Sequence, residues 1–318
     1  MFRLSEQIEA EQMPIAVQFS DYGTSEVLRA VDVAPLTAGP GQVRLAVRAA
    51  GVNPVDWKIM QGMMRQQIPL HLPAGLGSDV AGIVDQVGAG VTAFAVGDEV
   101  LGTSLTPSYA QSAIADPAAL VTKPTKVPWD VAASLAGAGG TAWTALDRLG
   151  IAKGETLLIH AAAGGVGTFA VQLAVALGAR VIGTAGEHNH EHLRSIGAVP
   201  VTYGDGLADR VRAIAPRGVD AVLDASGRGE IPVSIELAGG PERVLTLVAF
   251  DAGDTGIQIH VSGAGENGVR ALHDILTLID EGRLRVPIWR TYPLTETAAA
   301  LDASSTGHLN GKIVLVPA

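Results

Sequence analysis

The stretch "TLLIHAAAGGVGTFAVQLAVALGARVIGTA", Thr156 to Ala185, constrains the fold more than any other part of the chain. An apolar run ends at His160, a turn carries Gly164, Gly165 and Gly167, and a long apolar helix follows before the second run, "ARVIGT". Strand, turn, helix and strand at this spacing make a βαβ unit of a parallel sheet covered on both faces. Glycines in such a turn let backbone N–H groups approach a pyrophosphate, which then rests on the positive end of the helix. The first position of the usual three-glycine fingerprint is Ala162 here, so the pattern reads A-x-G-x-x-G. Three glycines alone are a weak signal. Placed between a strand and a helix they predict a dinucleotide site lined by Gly164, Gly165, Val166 and Gly167.

The rhythm of the chain changes on either side of this unit. From Pro14 to about Val127 short β runs alternate with Gly and Pro, as in "IAVQF", "QVRLAVRAAGV", "VAGIVDQVG" and "GDEVLGT". That spacing predicts an antiparallel barrel or sandwich. From about Pro128 the βα alternation takes over and continues through "VDAVLDAS" and "ERVLTLVAF" to Gly263. The helix "VRALHDILTLIDEG" precedes "GKIVLVP", a strand in the style of the first region. With 318 residues, about two domains are expected. Met13-Pro14 reads as a natural start, which makes residues 1–12 an extension, and "MFRLSEQIEAEQMP" has the pattern of neither a signal peptide nor an anchor.

Composition narrows the function classes. Hydrophobic residues make up 47% and mean hydropathy is +0.30, yet no uncharged apolar run reaches the ~18 residues of a membrane span. A net charge of −10 without Lys/Arg clusters argues against nucleic-acid binding. Zero cysteines remove disulfides and thiolate–zinc sites and suit a reducing cytosol. The expectation is a soluble cytoplasmic α/β protein without membrane or nucleic-acid partners.

The end of the second strand selects the dinucleotide. A carboxylate there bonds the ribose 2′-hydroxyl of NAD, and the counted positions are Thr184 and Ala185, both neutral and small. A 2′-phosphate meets no repulsion at that point. His188, Asn189, His190, Arg194 and Tyr203 are nearby donors, although Glu187 counts the other way. NADPH is therefore expected over NADH.

"AAGVNPVDWK", "LGSDVAGIVDQVGAGVTAFAVGDEV", "AGGTAWTAL", "AAAGGVG" and the late "GKIVL" together resemble the medium-chain dehydrogenase/reductase superfamily, in its zinc-independent quinone oxidoreductase branch. The resemblance runs from Pro14 onward. It implies a GroES-like catalytic domain (residues 13–127 and 270–318), a Rossmann domain (128–269) and a cofactor cleft between them. It also implies a homodimer through Rossmann edge strands, for which "GIQIHVSG" (Gly256 to Gly263) has the alternation of an exposed edge. Zinc-dependent relatives place a Cys at Asn53, a His at Ser78 and a Cys close to Gly137, and insert a four-cysteine lobe where "GDEVLGTSLTPSYAQ" runs straight on. None of these residues supplies a thiolate or imidazole ligand. "HNHEH" (His188, His190, His192) has the look of a metal tract but reads better as the exposed start of a helix at the ribose site.

Without a Lewis acid, quinones and α,β-unsaturated carbonyls are the accessible hydride acceptors, because the incoming charge delocalises onto oxygen. The resemblance gives Asn53 contact with the nicotinamide or the substrate. Lys58 reads either as stabiliser or proton donor of the enolate, or as a solvated helix residue. Asp56 reads as an anchor of its helix. Tyr109 lies where the family lines the substrate side, with its hydroxyl available to a carbonyl oxygen. Met60, Met63 and Met64 form either a pliable wall or core. Thr141, Ser226, Phe250 and Lys312 complete the expected cofactor contacts, with Phe250 ending a strand and overhanging the nicotinamide. The expected activity is NADPH-dependent reduction of a quinone or enone. A biosynthetic, polyketide-type enoyl reductase and a cofactor-binding structural or RNA-associated protein are the alternatives.

Overall fold

The computed structural model describes residues 13–260, 267–307 and 309–317. The proposed extension (1–12) and part of the expected edge strand (261–263) lie outside the described residues. The first half is all β with one short helix. Strands β1 (Ile15–Phe19), β2 (Leu28–Asp32), β3 (Val43–Val52), β4 (Ala74–Gly75), β5 (Asp79–Val87), β6 (Glu99–Thr103), β7 (Ser112–Ala115) and β8 (Leu120–Thr122) enclose α1 (Pro54–Met60). Alternating burial along β3, with Val43, Leu45 and Val47 inward, shows the two-residue period that a one-sided sheet requires.

The second half opens with α2 (Trp129–Ala132), a π turn (Leu135–Gly139) and α3 (Gly140–Leu149). Strands β9 (Thr156–His160), β10 (Arg180–Thr184), β11 (Ala198–Val201), β12 (Ala221–Asp224), β13 (Val244–Thr246) and β14 (Gln258–Ile259) follow, interleaved with α4 (Gly165–Ala176), α5 (His190–Ser195), α6 (Leu207–Ile214) and α7 (Ile231–Ala238). They form a parallel six-stranded sheet in the order β11-β10-β9-β12-β13-β14, the doubly wound order that reverses beside β9. Helix α4 is buried on every side from Gly167 to Ala174, which is why its sequence carries no charged residue.

Helix α8 (Gly268–Asp280) returns the chain to the first half, followed by β15 (Ile288–Pro293), α9 (Thr297–Ser305) and β16 (Lys312–Val316). β16 pairs antiparallel with the end of β3, Ile313 facing Val52. On the same edge β7 pairs with the start of β3, Val43 facing Ala115, so this long strand serves two neighbours and curves the sheet toward a barrel. The fold is thus a GroES-like β domain joined to a Rossmann sheet, and Lys312, at the start of β16, lies beside the turn that follows β9. No helix among the described residues is long and apolar enough to cross a membrane.

Candidate active site

The end of β9 builds the cofactor end. His160 is fully buried, with Nε2 2.9 Å from Ser234 Oγ, and burial holds its pKa below the ordinary value. The next residue, Ala161, has φ +53°, the one non-glycine with positive φ among the described residues, and swings the backbone into the turn. Gly164 stands before α4 in extended conformation. The first-turn N–H groups of Gly165, Val166 and Gly167 have no partner within the helix and face the turn. A Cβ at Gly167 would collide with the backbone of Ala161 and Ala162, so this glycine serves close packing of helix on strand. At Gly165 the nearest atom to a Cβ would be Lys312 Cδ, 3.5 Å away, so the turn keeps its open cradle. The residues present fit a dinucleotide pyrophosphate.

A second cluster lies where β3, α1, β5, the π turn and β16 meet. Pro54 occupies the first position of α1 and Asn53 precedes it, a favourable helix start. Asp56 accepts from the Asn53 N–H (2.7 Å) and from the Tyr109 hydroxyl (2.7 Å) through the same Oδ2. Lys312 Nζ donates to Asn53 Oδ1 (2.6 Å) and to the Val52 carbonyl (3.0 Å). Asp79 Oδ2 accepts from Asn53 Nδ2 (2.9 Å) and from the Gly137 N–H (3.1 Å). Lys312 can only donate and ionised Asp79 only accept, so the Asn53 amide has one orientation, with one N–H and one lone pair left over. A Cβ on Gly137 would stand 2.5 Å from Asp79 Oδ2, which is why this position carries no side chain.

Asp56, Asp79, Tyr109 and Lys312 are all buried, and Asn53 alone in the cluster is half exposed. Burial raises Asp56 to about 6, against the opposing bonds from Tyr109 and Asn53. Burial likewise raises Asp79, even though Lys312 and Asn53 favour its charge. Tyr109 is pushed well above its usual range by burial and by Asp56. Lys312 is lowered by burial, against the pull of Asp79 and Asp56. Two carboxyls and one ammonium therefore share a dry site in which desolvation outweighs pairing.

Two expected roles change on this geometry. Tyr109 is fully buried, and its hydroxyl is committed to Asp56 rather than available to a substrate carbonyl. Phe250 does not end its strand. β13 stops at Thr246, whose hydroxyl donates to Asp224 Oδ2 and accepts from the Val248 and Ala249 N–H groups, bending the chain away. Phe250 sits in the following turn, 47% exposed.

Lys58 is half-buried on α1, its ammonium 5.5 Å from the Trp57 ring centre. The methionines divide, Met60 entering the core while Met63 is exposed. Thr141 is buried in the first turn of α3, just after the π turn that carries Gly137. Thr184 and Ala185 are buried at the end of β10; Tyr203 is exposed after β11; Ser226 follows β12. His190 Nε2 lies 3.3 Å from the Ala185 carbonyl and His192 Nε2 3.2 Å from Thr168 Oγ1, while His188 is exposed, so the three histidines turn to different neighbours. Asp79 and the Lys312–Asn53 bond are parts of this cluster that the sequence did not point to. The only signal for Asp79 was its place beside Ser78.

The positions at which zinc-dependent relatives hold ligands do converge, since Asn53 and Gly137 both bond Asp79. They offer an amide and a backbone N–H, and the basic group there is Lys312. Among the described residues no group of three or more His, Asp or Glu side chains is arranged to hold a metal ion. The donor set does not fit catalytic zinc.

Two family models match parts of the chain. The alcohol dehydrogenase GroES-like domain matches residues 39–146, and the zinc-binding dehydrogenase domain matches residues 196–315. A chloroplast envelope quinone oxidoreductase homolog of Arabidopsis thaliana is 32% identical over 95% of this chain and 98% of its own. Polyketide synthase GfsB of Streptomyces halstedii is 35% identical over 92% of this chain, which spans only 5% of that synthase's length. Among solved structures, the quinone oxidoreductase from Coxiella burnetii superposes with TM-score 0.86 at 32% identity, covering 95% of this chain and 99% of that one. The Escherichia coli quinone oxidoreductase complexed with NADPH superposes with TM-score 0.85 at 27% identity, covering 95% and 100%. The chain belongs to the medium-chain dehydrogenase/reductase superfamily, in its quinone oxidoreductase branch.

Proposed function

We propose that the protein is an NADPH-dependent reductase that delivers hydride to a quinone or an α,β-unsaturated carbonyl compound without zinc. The observation that carries this reading is the Asn53 amide, held in one orientation by Lys312 and Asp79 at the point where a metal-using relative would place a ligand. The relative solved with NADPH supports the cofactor. Bound at the glycine turn, NADPH supplies the hydride. The chain's own residues supply placement and charge. The first-turn N–H groups of α4 hold the pyrophosphate, and Lys312, whose stem lies against Gly165, fixes Asn53 beside it. The free N–H of Asn53 is positioned to donate to the oxygen on which charge develops, and needs no rearrangement to do so. Lys58, on the same short helix, or water then provides the proton. The Lys58→Met variant separates the two: loss of a general acid lowers enone turnover by about 10²–10⁴, whereas retained turnover assigns the proton to water.

Domain boundaries at 127/128 and 269/270, and a homodimer built on the β14 edge of the six-stranded sheet, belong to the same proposal. The test is steady-state NADPH oxidation against a panel of quinones, free enones and enoyl thioesters, with NADH as comparison. Turnover on quinones or free enones supports the reading. Turnover confined to enoyl thioesters favours a polyketide-type enoyl reductase, the second reading, which the resemblance to GfsB supports. No turnover on any of them contradicts both.

A further inference from the structure

The rim of the cofactor cleft carries an arginine to which nothing above gives a role. β12 ends at Asp224, whose Oδ1 accepts from the Ser226 N–H (2.9 Å) and the Gly227 N–H (3.1 Å), while Oδ2 is held by Thr246. The loop is tied a second time, because the Arg228 N–H donates to Ser226 Oγ (3.2 Å) and to Glu230 Oε2 (3.0 Å). Glu230 also accepts from the Ser226 hydroxyl, so its carboxylate serves the loop backbone and not the guanidinium. The guanidinium of Arg228 lies 6.0 Å from the centre of the Tyr203 ring. It forms no hydrogen bond or salt bridge among the described residues, although its backbone is fixed.

Its place relative to the adenosine end follows from sheet register. Ala185, which stands where an NAD enzyme would carry its acidic residue, donates its N–H to the Val201 carbonyl (3.0 Å). Tyr203 comes two residues after Val201, and Arg228 lies over Tyr203. Gly307, φ +66°, approaches from the other half of the chain, and a Cβ there would stand 4.0 Å from Arg228 Nη2. The guanidinium is thereby placed on the side of the sheet where Tyr203 follows β11, the neighbour of the strand end that lacks a carboxylate.

Two other arginines lie in this part of the chain. Arg210 donates to the carbonyls of Thr202, Tyr203, Gly204 and Asp205 and acts as a brace for their turn. Arg194 sits in the last turn of α5, whereas His190, in the first turn, is the residue that lies 3.3 Å from the Ala185 carbonyl.

Resting on the NADPH reading above, we propose that Arg228 is the cation that recognises the 2′-phosphate and so sets the choice of NADPH over NADH. A planar guanidinium beside an aromatic ring and without a carboxylate partner suits a phosphate dianion, forming charge-assisted bonds that the 2′-hydroxyl of NADH cannot match.

The test measures dissociation constants of NADPH and NADH for wild type, Arg228→Gln and Arg228→Lys by calorimetry on the full chain. The expected result is a wild-type preference for NADPH of about ten- to a hundredfold, reduced at least tenfold in Arg228→Gln and partly kept in Arg228→Lys. A wild type without preference overturns the NADPH reading and this proposal together. A wild type that prefers NADPH, with the same ratio in Arg228→Gln, overturns this proposal alone. So does an Arg228→Gln variant that weakens both cofactors equally, since the arginine would then be touching a part they share.

Discussion

On the proposed reading, the glycine turn and the Asn53 cluster recognise charge by opposite means. At the glycine turn the work falls to main-chain N–H groups at the start of α4, with no charged side chain in the turn itself. At Asn53 the work falls to ionisable side chains, Asp56, Asp79 and Lys312, withdrawn from water behind one half-exposed amide. Backbone dipoles do not titrate, and their placement costs only a local turn. Buried carboxyls and an ammonium hold an amide more rigidly, but each carries a desolvation penalty that its partners must offset. The cofactor end should therefore be insensitive to pH and damaged by bulk, and the reacting end the reverse.

The largest effect is expected from Lys312→Met. It leaves Asp79 buried without its cation and frees Asn53 Oδ1, costing about 3–5 kcal/mol of unfolding free energy. Urea titration at neutral pH reads this directly. An unchanged midpoint would mean that Asp79 is already neutral and that the cluster holds no ion pair.

Next in size is a dependence on pH. The folded pKa of Asp56, about 6, lies above its ordinary 3.8, so the folded state binds the extra proton across this window. Stability contributed by this group is present below about pH 4 and is lost as pH rises to about 6, after which it is constant. A shift of about two units corresponds to about 3 kcal/mol. Asp56→Asn mimics the protonated form and keeps an acceptor for Tyr109 and for the Asn53 N–H. Relative to this variant, the wild type should lose roughly that amount between pH 4 and pH 7 in matched urea titrations. Parallel curves would remove the titrating carboxyl from the account.

The smallest of the three is Gly167→Ala at the other end. The new Cβ meets backbone of Ala161 and Ala162, which must shift, costing about 1–3 kcal/mol. Thermal unfolding should show that loss equally at pH 5 and pH 8. A pH-dependent loss would blur the contrast between the two ends.

What could be read from the chain alone follows the same division. The glycine turn, the strand ending at His160 and the parallel sheet are local, set by neighbours within one βαβ unit, and the pattern of residues shows them. The return of "GKIVL" to the first sheet was legible from its strand character, but Lys312 is 259 positions from the Asn53 it fixes. No periodicity points from one to the other. Asp56 was legible as an anchor because it is three residues from the N–H it accepts. Nothing near Tyr109 in sequence shows that its hydroxyl meets Asp56, 53 positions away. The bend after Thr246 depends on Asp224 from another strand, so "RVLTLVAF" read as one continuous run. Arg228 carries no signal in the sequence, because its neighbour Tyr203 reaches it only in the folded chain.

The central claim is that a metal-free site built on Asn53 transfers hydride to a conjugated acceptor. Its most direct test uses chelator-treated protein, NADPH deuterated at the transferring position of the nicotinamide, and an enone substrate. Mass spectrometry of the saturated product should find one deuterium on the carbon β to the carbonyl, at the same rate before and after chelation. Product without label, or turnover that returns only when zinc is added back, would contradict the account.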